Sequence, residues 1–397
     1  MTSVLIAPDK FKGSLTAADV CAAVSRGLRR HTTSTIATCP VADGGDGTIA
    51  AAVAAGYEAV PVTAVGPTGQ PVQTHYARLD EIAVVEMADV SGLVNLPDGQ
   101  MKPMTATSRG TGEVMAAAID AGCTQIMLGI GGSASTDGGA GMLAALGARL
   151  LDADGAELGD GGAALASLAS IDVQALAARM RGVALTVACD VDNPLTGPRG
   201  AAAVYGPQKG ATPAQVSELD DALSHFADVL AEHAEHDEHT DHAEHGELTD
   251  HAGHARHDAR DVRDVAGAGA AGGVGYAALA LLDAQLRPGI DVVFDLVGFA
   301  GHLASADFVI TGEGSLDEQT LHGKAPAGVA SAAVARGVPV VAVCGRTTLS
   351  AQRLKDAGID AAYALSDLEP DLERSMSGAA ALLEQLGEQI AKEHLSP

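Results

Sequence analysis

The chain has 397 residues, 47% hydrophobic and 19% charged, which suits two or three domains with a sizeable core. Its 24 basic and 51 acidic residues set a formal charge of −27, a balance that repels nucleic-acid backbones and anionic membranes, so neither is expected as a partner. An anionic substrate would need cationic charge gathered locally at its site. With 3% aromatic residues and no Trp, the core is expected to be built from Ala, Val and Leu. The five cysteines are scattered and never in C-x-x-C spacing, which indicates neither a disulfide framework nor a zinc knuckle and fits a reducing cytoplasm. Residues 1–10 lack a basic stretch followed by a long apolar run, so no signal peptide is expected.

Residues 3–7 form a short apolar run and are predicted as a strand, followed by the loop P-D-K-F-K-G-S-L-T (8–16) and a helix over 17–28 with Thr16 as its cap. Lys10, Lys12 and Ser14 therefore lie at the C-terminal end of a strand, the edge at which open α/β sheets bind ligands. The lysines there are either phosphate ligands or solvated surface charges. Residues 35–41 are a second strand, running through A-D-G-G-D-G-T (42–48) into an alanine-rich helix over 49–55. Asp43 and Asp46 offer carboxylates to a metal or a substrate hydroxyl, although turn formation and capping would select the same residues.

Between 57 and 88 the pattern changes to alternating β-branched segments at 60–65, 72–79 and 82–87, which read as antiparallel strands and mark a domain boundary. T-A-T-S-R-G-T-G (105–112) then precedes a helix over 113–121, placing Arg109 near its N-terminus as a bidentate clamp for a carboxylate or phosphate. The stretch G-I-G-G-S-A-S-T-D-G-G-A-G (129–141) lies between a predicted strand over 123–130 and a predicted helix over 142–151. Its backbone is bare enough for Gly131, Gly132, Gly138, Gly139 and the Ser133 hydroxyl to converge on one anion. Asp137 in the same turn calls for a bridging cation, so a phosphate with Mg²⁺ is expected; the alternative is a tight turn that uses glycine for sterics alone.

A strand over 185–188 leads to C-D-V-D-N-P-L (189–195), where Asp190, Asp192 and Asn193 offer hard oxygen donors for Mg²⁺ or a general base. Y-G-P-Q-K-G-A (205–211) adds a further loop lysine. Segment 232–264 is the compositional outlier, with histidines at 233, 236, 239, 242, 245, 251, 254 and 257 and eleven acids against three arginines, a charge of −8. A three-residue step drifts around a helix, so the histidines make no single face, and the segment reads as a solvated low-complexity loop or helical extension in preference to a metal site. G-A-G-A-A-G (267–272) matches the dinucleotide pattern G-x-G-x-x-G, but it follows no strand and is read as a loop opening a helix over 276–286. The uncharged run 265–282 contains five glycines and is not expected to cross a membrane.

From residue 306 strand–helix alternation returns, with strands at 308–311, 338–344 and 361–365 and helices at 325–336, 351–357 and 378–393. Two N-terminal and three C-terminal strands would complete one five-stranded sheet, with the middle of the chain inserted as a second domain and a ligand cleft between the two. The loop T-G-E-G-S-L-D-E-Q-T-L-H-G-K-A-P (311–326) carries Glu313, Asp317 and Lys324, groups suited to a metal and a phosphate. No G-x-x-x-x-G-K-[ST] occurs, which excludes a P-loop kinase.

Taken in order, the blocks at 8–17, 42–48, 129–141, 190–195, 205–211, 267–275 and 311–326 resemble the signature of bacterial type I glycerate kinases, and only the histidine-rich segment falls outside the likeness. The resemblance implies ATP- and Mg²⁺-dependent phosphorylation of D-glycerate, usually at the 2-hydroxyl. It also implies an α/β fold in which a flavodoxin- or Rossmann-like parallel five-stranded domain (1–60 with 290–397) is interrupted by a second α/β domain (61–289). Within this frame Mg²⁺ would be held by some of Asp190, Asp192 and Glu313, and Lys10, Lys12 and Lys324 would offset developing charge. Asp190 or Asp43 would be the base, and Arg109 would hold the substrate carboxylate. Asp46 stands where Glu is usual and Ser315 where a basic residue is usual, which puts one phosphate contact in doubt. A homodimer is kept as an option. The rival readings are an isomerase or lyase of phospho-substrates using the same anion loops, and a metal-binding protein built on the histidine tract. Deleting 233–258 is expected to leave phosphorylation of D-glycerate near normal in a coupled ADP-release assay; abolished turnover would make the tract part of the machinery.

Overall fold

The computed structural model describes residues 2–244, 261–321 and 324–395, with 234–244 described as helical backbone alone. Of the histidine tract only His233 has a described side chain; the backbone is helical to residue 244, in keeping with a helical extension there, and the reading of 245–257 lies outside the described residues. In chain order the strands are β1 Ser3–Pro8, β2 Thr35–Thr38, β3 Glu58–Val65, β4 Pro71–Leu79, β5 Ile82–Glu86, β6 Gln125–Gly129, β7 Arg149–Leu151, β8 Ser170–Asp172, β9 Ala184–Ala188, β10 Gln285–Arg287, β11 Phe308–Leu316, β12 Val340–Thr347 and β13 Ala361–Ala364. The chain divides into two compact units, Met1–Glu58 with Pro288–Pro397, and Ala59–Arg287.

The first unit holds a five-stranded sheet in the order β13-β12-β11-β1-β2. Every neighbouring pair is parallel. Val4, Leu5 and Ile6 of β1, Val309 and Ile310 of β11, and Val340 to Val343 of β12 are all buried, as expected for strands covered on both faces. Counted within the unit, the strand order is that of a flavodoxin-like sheet, and the direction of winding reverses between β1 and β11. The expected parallel sheet is therefore present. β11 is longer than the predicted 308–311 and carries Glu313 inside the strand.

Helix Ala17–Leu28 starts where its cap predicts: the Thr16 hydroxyl accepts from Asp19 N and the Asp19 carboxylate reaches back to Thr16 N. It packs on helix Ala379–His394 with almost no side chain between the backbones. A methyl on Gly27 would stand 2.0 Å from the Glu384 carbonyl oxygen, and one on Gly387 would stand 2.6 Å from that of Val24. Arg26 and Arg30 pair with Glu384 and Glu388 along the exposed rim of this contact.

The second unit is built on a six-stranded mixed sheet, β10-β9-β6-β5-β4-β3. β4 and β5 are antiparallel, whereas β5, β6, β9 and β10 run parallel to one another. Two predicted helices end earlier than expected. The one after the glycine turn is Ala140–Leu146, because Gly147 adopts φ +119 and Arg149–Leu151 becomes a strand paired with Ser170–Asp172. The other runs Ala270–Leu281; Asp283, at φ +48, turns the chain and Gln285–Arg287 joins the sheet beside β9. Among the described residues no helix is long and apolar enough to cross a membrane.

Gly27→Ala should destabilise the first unit by about 2–3 kcal/mol, since the obstructing atom is a helix carbonyl that cannot rotate away. Chemical denaturation compared with an exposed control such as Ala22→Gly would measure this.

Candidate active site

In the first unit the chemistry collects at the carboxyl edge of the sheet beside the point where its winding reverses. Asp9 follows β1 directly, Asp43 lies in the loop after β2, and Glu313 sits in the second half of β11 opposite Cys344 of β12. Asp9 is buried and accepts from Lys10 N at 2.6 Å. Burial pushes its carboxyl up to about 7, against the pull of Lys10 and with the added repulsion of Asp43 and Glu313. Glu313 is likewise raised by burial. The Thr320 hydroxyl, which donates to it, and Lys324, whose Nζ lies 3.7 Å from Oε2, restrain that rise. Asp317 and Asp43 add repulsion.

Two of the three lysines, Lys10 and Lys324, are paired. Lys10 Nζ donates to the Asp46 carbonyl and pairs with Asp46 Oδ2 at 3.4 Å. Gly47 leaves it room, since a methyl there would come within 3.1 Å of Nζ. Lys324 occupies the N-cap position of helix Ala325–Val334. Lys12 is exposed. Ser14 directs its hydroxyl to the Met376 carbonyl at 2.7 Å, so a phosphate would compete with that bond. Asp43 accepts from Gly45 N at 3.1 Å, closing its own turn. The register of β11 on β12 sets Ser315 against Arg346, whose Nε donates to Ser315 Oγ at 3.4 Å. A guanidinium from the neighbouring strand thus stands beside the position where a basic residue was expected. Asp9 escaped the sequence reading although it is an acid directly after an apolar strand and adjacent to Lys10, which is the signal that could have found it.

In the second unit the glycine turn is divided in two. Gly131 and Gly132 are exposed, while Ser133 to Gly139 are buried. Asp137 is fully buried. Its Oδ2 accepts from Ser108 N at 2.8 Å and Ser108 Oγ at 2.9 Å, and its Oδ1 from Gly139 N at 3.2 Å. Ser108 Oγ in turn accepts from Met142 N at 2.9 Å. Ser108 and Gly139 are the residues that enter helices Arg109–Asp120 and Ala140–Leu146. One internal carboxylate therefore caps two helix N-termini, where an external anion was expected. Gly138 N is also taken, by the Gly272 carbonyl at 2.9 Å. The expectation that Gly138 and Gly139 cradle a phosphate is corrected on this ground, and Gly131, Gly132 and the edge of Ser133 are left as the accessible part.

The loop 267–275 packs beneath this turn, backbone on backbone: a methyl on Gly272 would stand 2.1 Å from the Ser135 carbonyl oxygen. Lys209, missed as a site residue, is buried under the same stretch, with Nζ 2.5 Å from the Ser135 carbonyl. Burial draws its ammonium down to about 7 and the nearby Asp137 opposes the shift. Arg109, expected to be an open clamp, is closed by Asp160, to which Nε and Nη2 donate at 2.9 and 2.8 Å. Asp192 is paired with Arg199 at 3.0 Å, and Asp190 is exposed at the end of β9. Among the described residues no set of three His, Cys, Asp or Glu side chains could hold a metal ion by itself. Mg²⁺ commonly takes one or two carboxylates with phosphate oxygens and waters. The crowded carboxylates of Asp43 and Glu313 fit that manner of binding, whereas Asp192 would have to exchange Arg199.

The chain matches the family model described as the glycerate kinase family over residues 4–395. It is 44% identical to "Glycerate kinase" of Bacillus subtilis (strain 168), over 98% of this chain and 96% of that protein. It is 41% identical to "Glycerate 2-kinase" of Escherichia coli (strain K12), over 95% and 93%. Among solved structures it is similar to a putative glycerate kinase 2 from Salmonella typhimurium LT2, with a TM-score of 0.82 and 41% identity, over 99% and 98% of the two chains.

Because the folded Asp9 carboxyl titrates near 7 and the unfolded one near 4, its contribution to stability is fully present below the unfolded value and is lost as pH rises through the folded value. In metal-free buffer the unfolding midpoint should fall between about pH 4 and pH 7 and level off above. Asp9→Asn should flatten that decline and be the more stable form at pH 8; an unchanged slope would place the titration elsewhere.

Proposed function

The chain belongs to the glycerate kinase family and is a phosphotransferase acting on glycerate, and from this premise we propose that ATP is its donor and the 2-hydroxyl of D-glycerate its acceptor, giving ADP and 2-phospho-D-glycerate. The observation that carries the reading is the group Asp9, Asp43 and Glu313 with Lys10 and Lys324 at the carboxyl edge of a parallel sheet, where such sheets bind their ligands. The name of the Escherichia coli relative supports the 2-position. Five unpaired thiols support a cytoplasmic setting.

Asp43 and Glu313 would hold Mg²⁺ together with the nucleotide, and the ion supplies Lewis-acid stabilisation of charge on the transferred group. Lys10, Lys12 and Lys324 stabilise the negative charge that develops on the phosphoryl oxygens. The exposed lip Gly131–Gly132, with Ser133, offers N–H groups to an ATP phosphate. Arg109 meets the glycerate carboxylate in competition with Asp160. The proton of the attacking hydroxyl goes to a carboxylate that is not holding the ion: Asp190 where Asp43 is a ligand, or Asp43 where Glu313 holds the ion without it.

The test is an ADP-release assay with D-glycerate, ATP and Mg²⁺, followed by phosphorus NMR of the product. Turnover with the phosphate on carbon 2 is expected; absence of ADP release would favour the isomerase or lyase reading, and phosphate on carbon 3 would overturn the regiochemistry. Lys324→Met should lower kcat by about 10²–10³-fold, the scale of losing one group that stabilises transition-state charge. Of Asp190→Asn and Asp43→Asn, the variant that loses kcat with both KM for D-glycerate and the Mg²⁺ concentration for half-maximal rate preserved identifies the base.

A further inference from the structure

Lys209 takes no part in the chemistry above, yet it is 2% exposed, among the largest fully buried side chains of the molecule. It ends the short helix Pro207–Lys209, after which Gly210 turns the chain at φ +90. An ammonium is costly to bury unless it is paired and hydrogen-bonded, and a methionine would fill the same space without that cost. The buried amine therefore needs a reason beyond packing. Its contacts supply one: Nζ donates to the Ser135 carbonyl at 2.5 Å and lies in the field of Asp137.

Residues 134–137 are neither strand nor helix. A single antiparallel bridge, Gly92 to Ser133, holds their upstream end, with Ala134 N donating to the Ser91 carbonyl and Leu93 N to that of Gly132. Beyond Ala134 the stretch is threaded between glycines, since methyls on Gly162 and Gly272 would each stand 2.1 Å from the Thr136 and Ser135 carbonyl oxygens. The Ser135 and Thr136 hydroxyls are buried without a hydrogen-bond partner, so the side chains of this stretch do not anchor it. Just upstream is the exposed lip Gly131–Gly132, and just downstream Asp137 caps two helices.

We propose that Lys209 is a positioning residue which, through the Ser135 carbonyl and Asp137, fixes the path of 133–137 and thereby the Gly131–Gly132 lip that receives a phosphate of ATP. The inference rests on the reading of that lip as a phosphate site. Without Lys209 the Ser135 carbonyl loses its donor and Asp137 a nearby positive charge, both in the interior, and the lip is left with its upstream bridge to Gly92 alone. The carboxylates and lysines of the first unit are untouched by the change.

The experiment compares Lys209→Met, Asp137→Asn, the double variant Lys209→Met/Asp137→Asn and Gly132→Ala in the full chain. Steady-state kinetics are run for ATP and D-glycerate, with thermal unfolding in parallel. Lys209→Met should raise KM for ATP about tenfold while kcat and KM for D-glycerate stay within about twofold. A purely structural role would lower the unfolding temperature and leave KM for ATP unchanged, which overturns the proposal. If Lys209→Met does not fold, the double variant, relieved of the unpaired carboxylate charge, is compared with Asp137→Asn: a further rise in KM for ATP supports the proposal and equality overturns it. Gly132→Ala separates the two layers. If it too leaves KM for ATP unchanged, the lip reading fails with the proposal; if it raises KM while Lys209→Met is silent, only the role of Lys209 falls.

Discussion

Much of this structure depends on backbones that touch each other with no side chain between them. Gly27 meets the Glu384 carbonyl, Gly110 that of Val65, Gly112 that of Met142, and Gly272 that of Ser135, each at a separation a methyl group could not share. Such contacts draw helices and turns closer than side-chain packing allows, and they account for a core with few aromatic residues. They also decide where function can reside. At the glycine turn the pressed backbones serve each other, Gly138 N donating to the Gly272 carbonyl, whereas Gly131 and Gly132 face solvent.

That distinction explains how far the glycine turn was legible. Strand, turn and helix at 129–146 followed from the apolar run, the glycines and the Ala/Leu pattern, and the fold class followed from strand–helix alternation at both chain ends. The loops carrying Lys10, Asp43, Glu313 and Lys324 were likewise found from their place after apolar runs. What could not be read was which partner each loop meets across the sequence. Gly138 is closed by Gly272, 134 residues away, and nothing local distinguishes its N–H from that of Gly132. Arg109 and Asp160, or Asp192 and Arg199, are pairings of the same kind: each residue alone looks available until the fold brings its counterion.

Element ends were misjudged where one residue in an unusual conformation interrupts a periodic pattern. Gly147 and Asp283 each stop a helix that composition alone would extend, and the residues after them join sheets instead. Asp9 was overlooked for the opposite reason. Its sequence context is ordinary, and its distinctive property comes from burial beside Asp43 and Glu313, residues that arrive from different strands.

The two units settle their internal charges differently, and the difference bears on function. In the second, the carboxylate of Asp137 is answered from within, by Ser108, by Gly139 and by Lys209, so its charge is compensated before any ligand arrives. In the first, burial raises Asp9 and Glu313 with repulsion from Asp43 added to both, and Lys10 and Lys324 are already engaged by Asp46 and Glu313. A chain of charge −27 adds its own repulsion to anionic substrates. The edge of the first sheet is thus a place where negative charge is crowded but not neutralised, a condition that folding alone would not favour. It is intelligible as a site whose balance is completed by what binds there: cationic charge delivered with the nucleotide offsets the carboxylates, and the lysines then face the phosphoryl oxygens instead of their own acids.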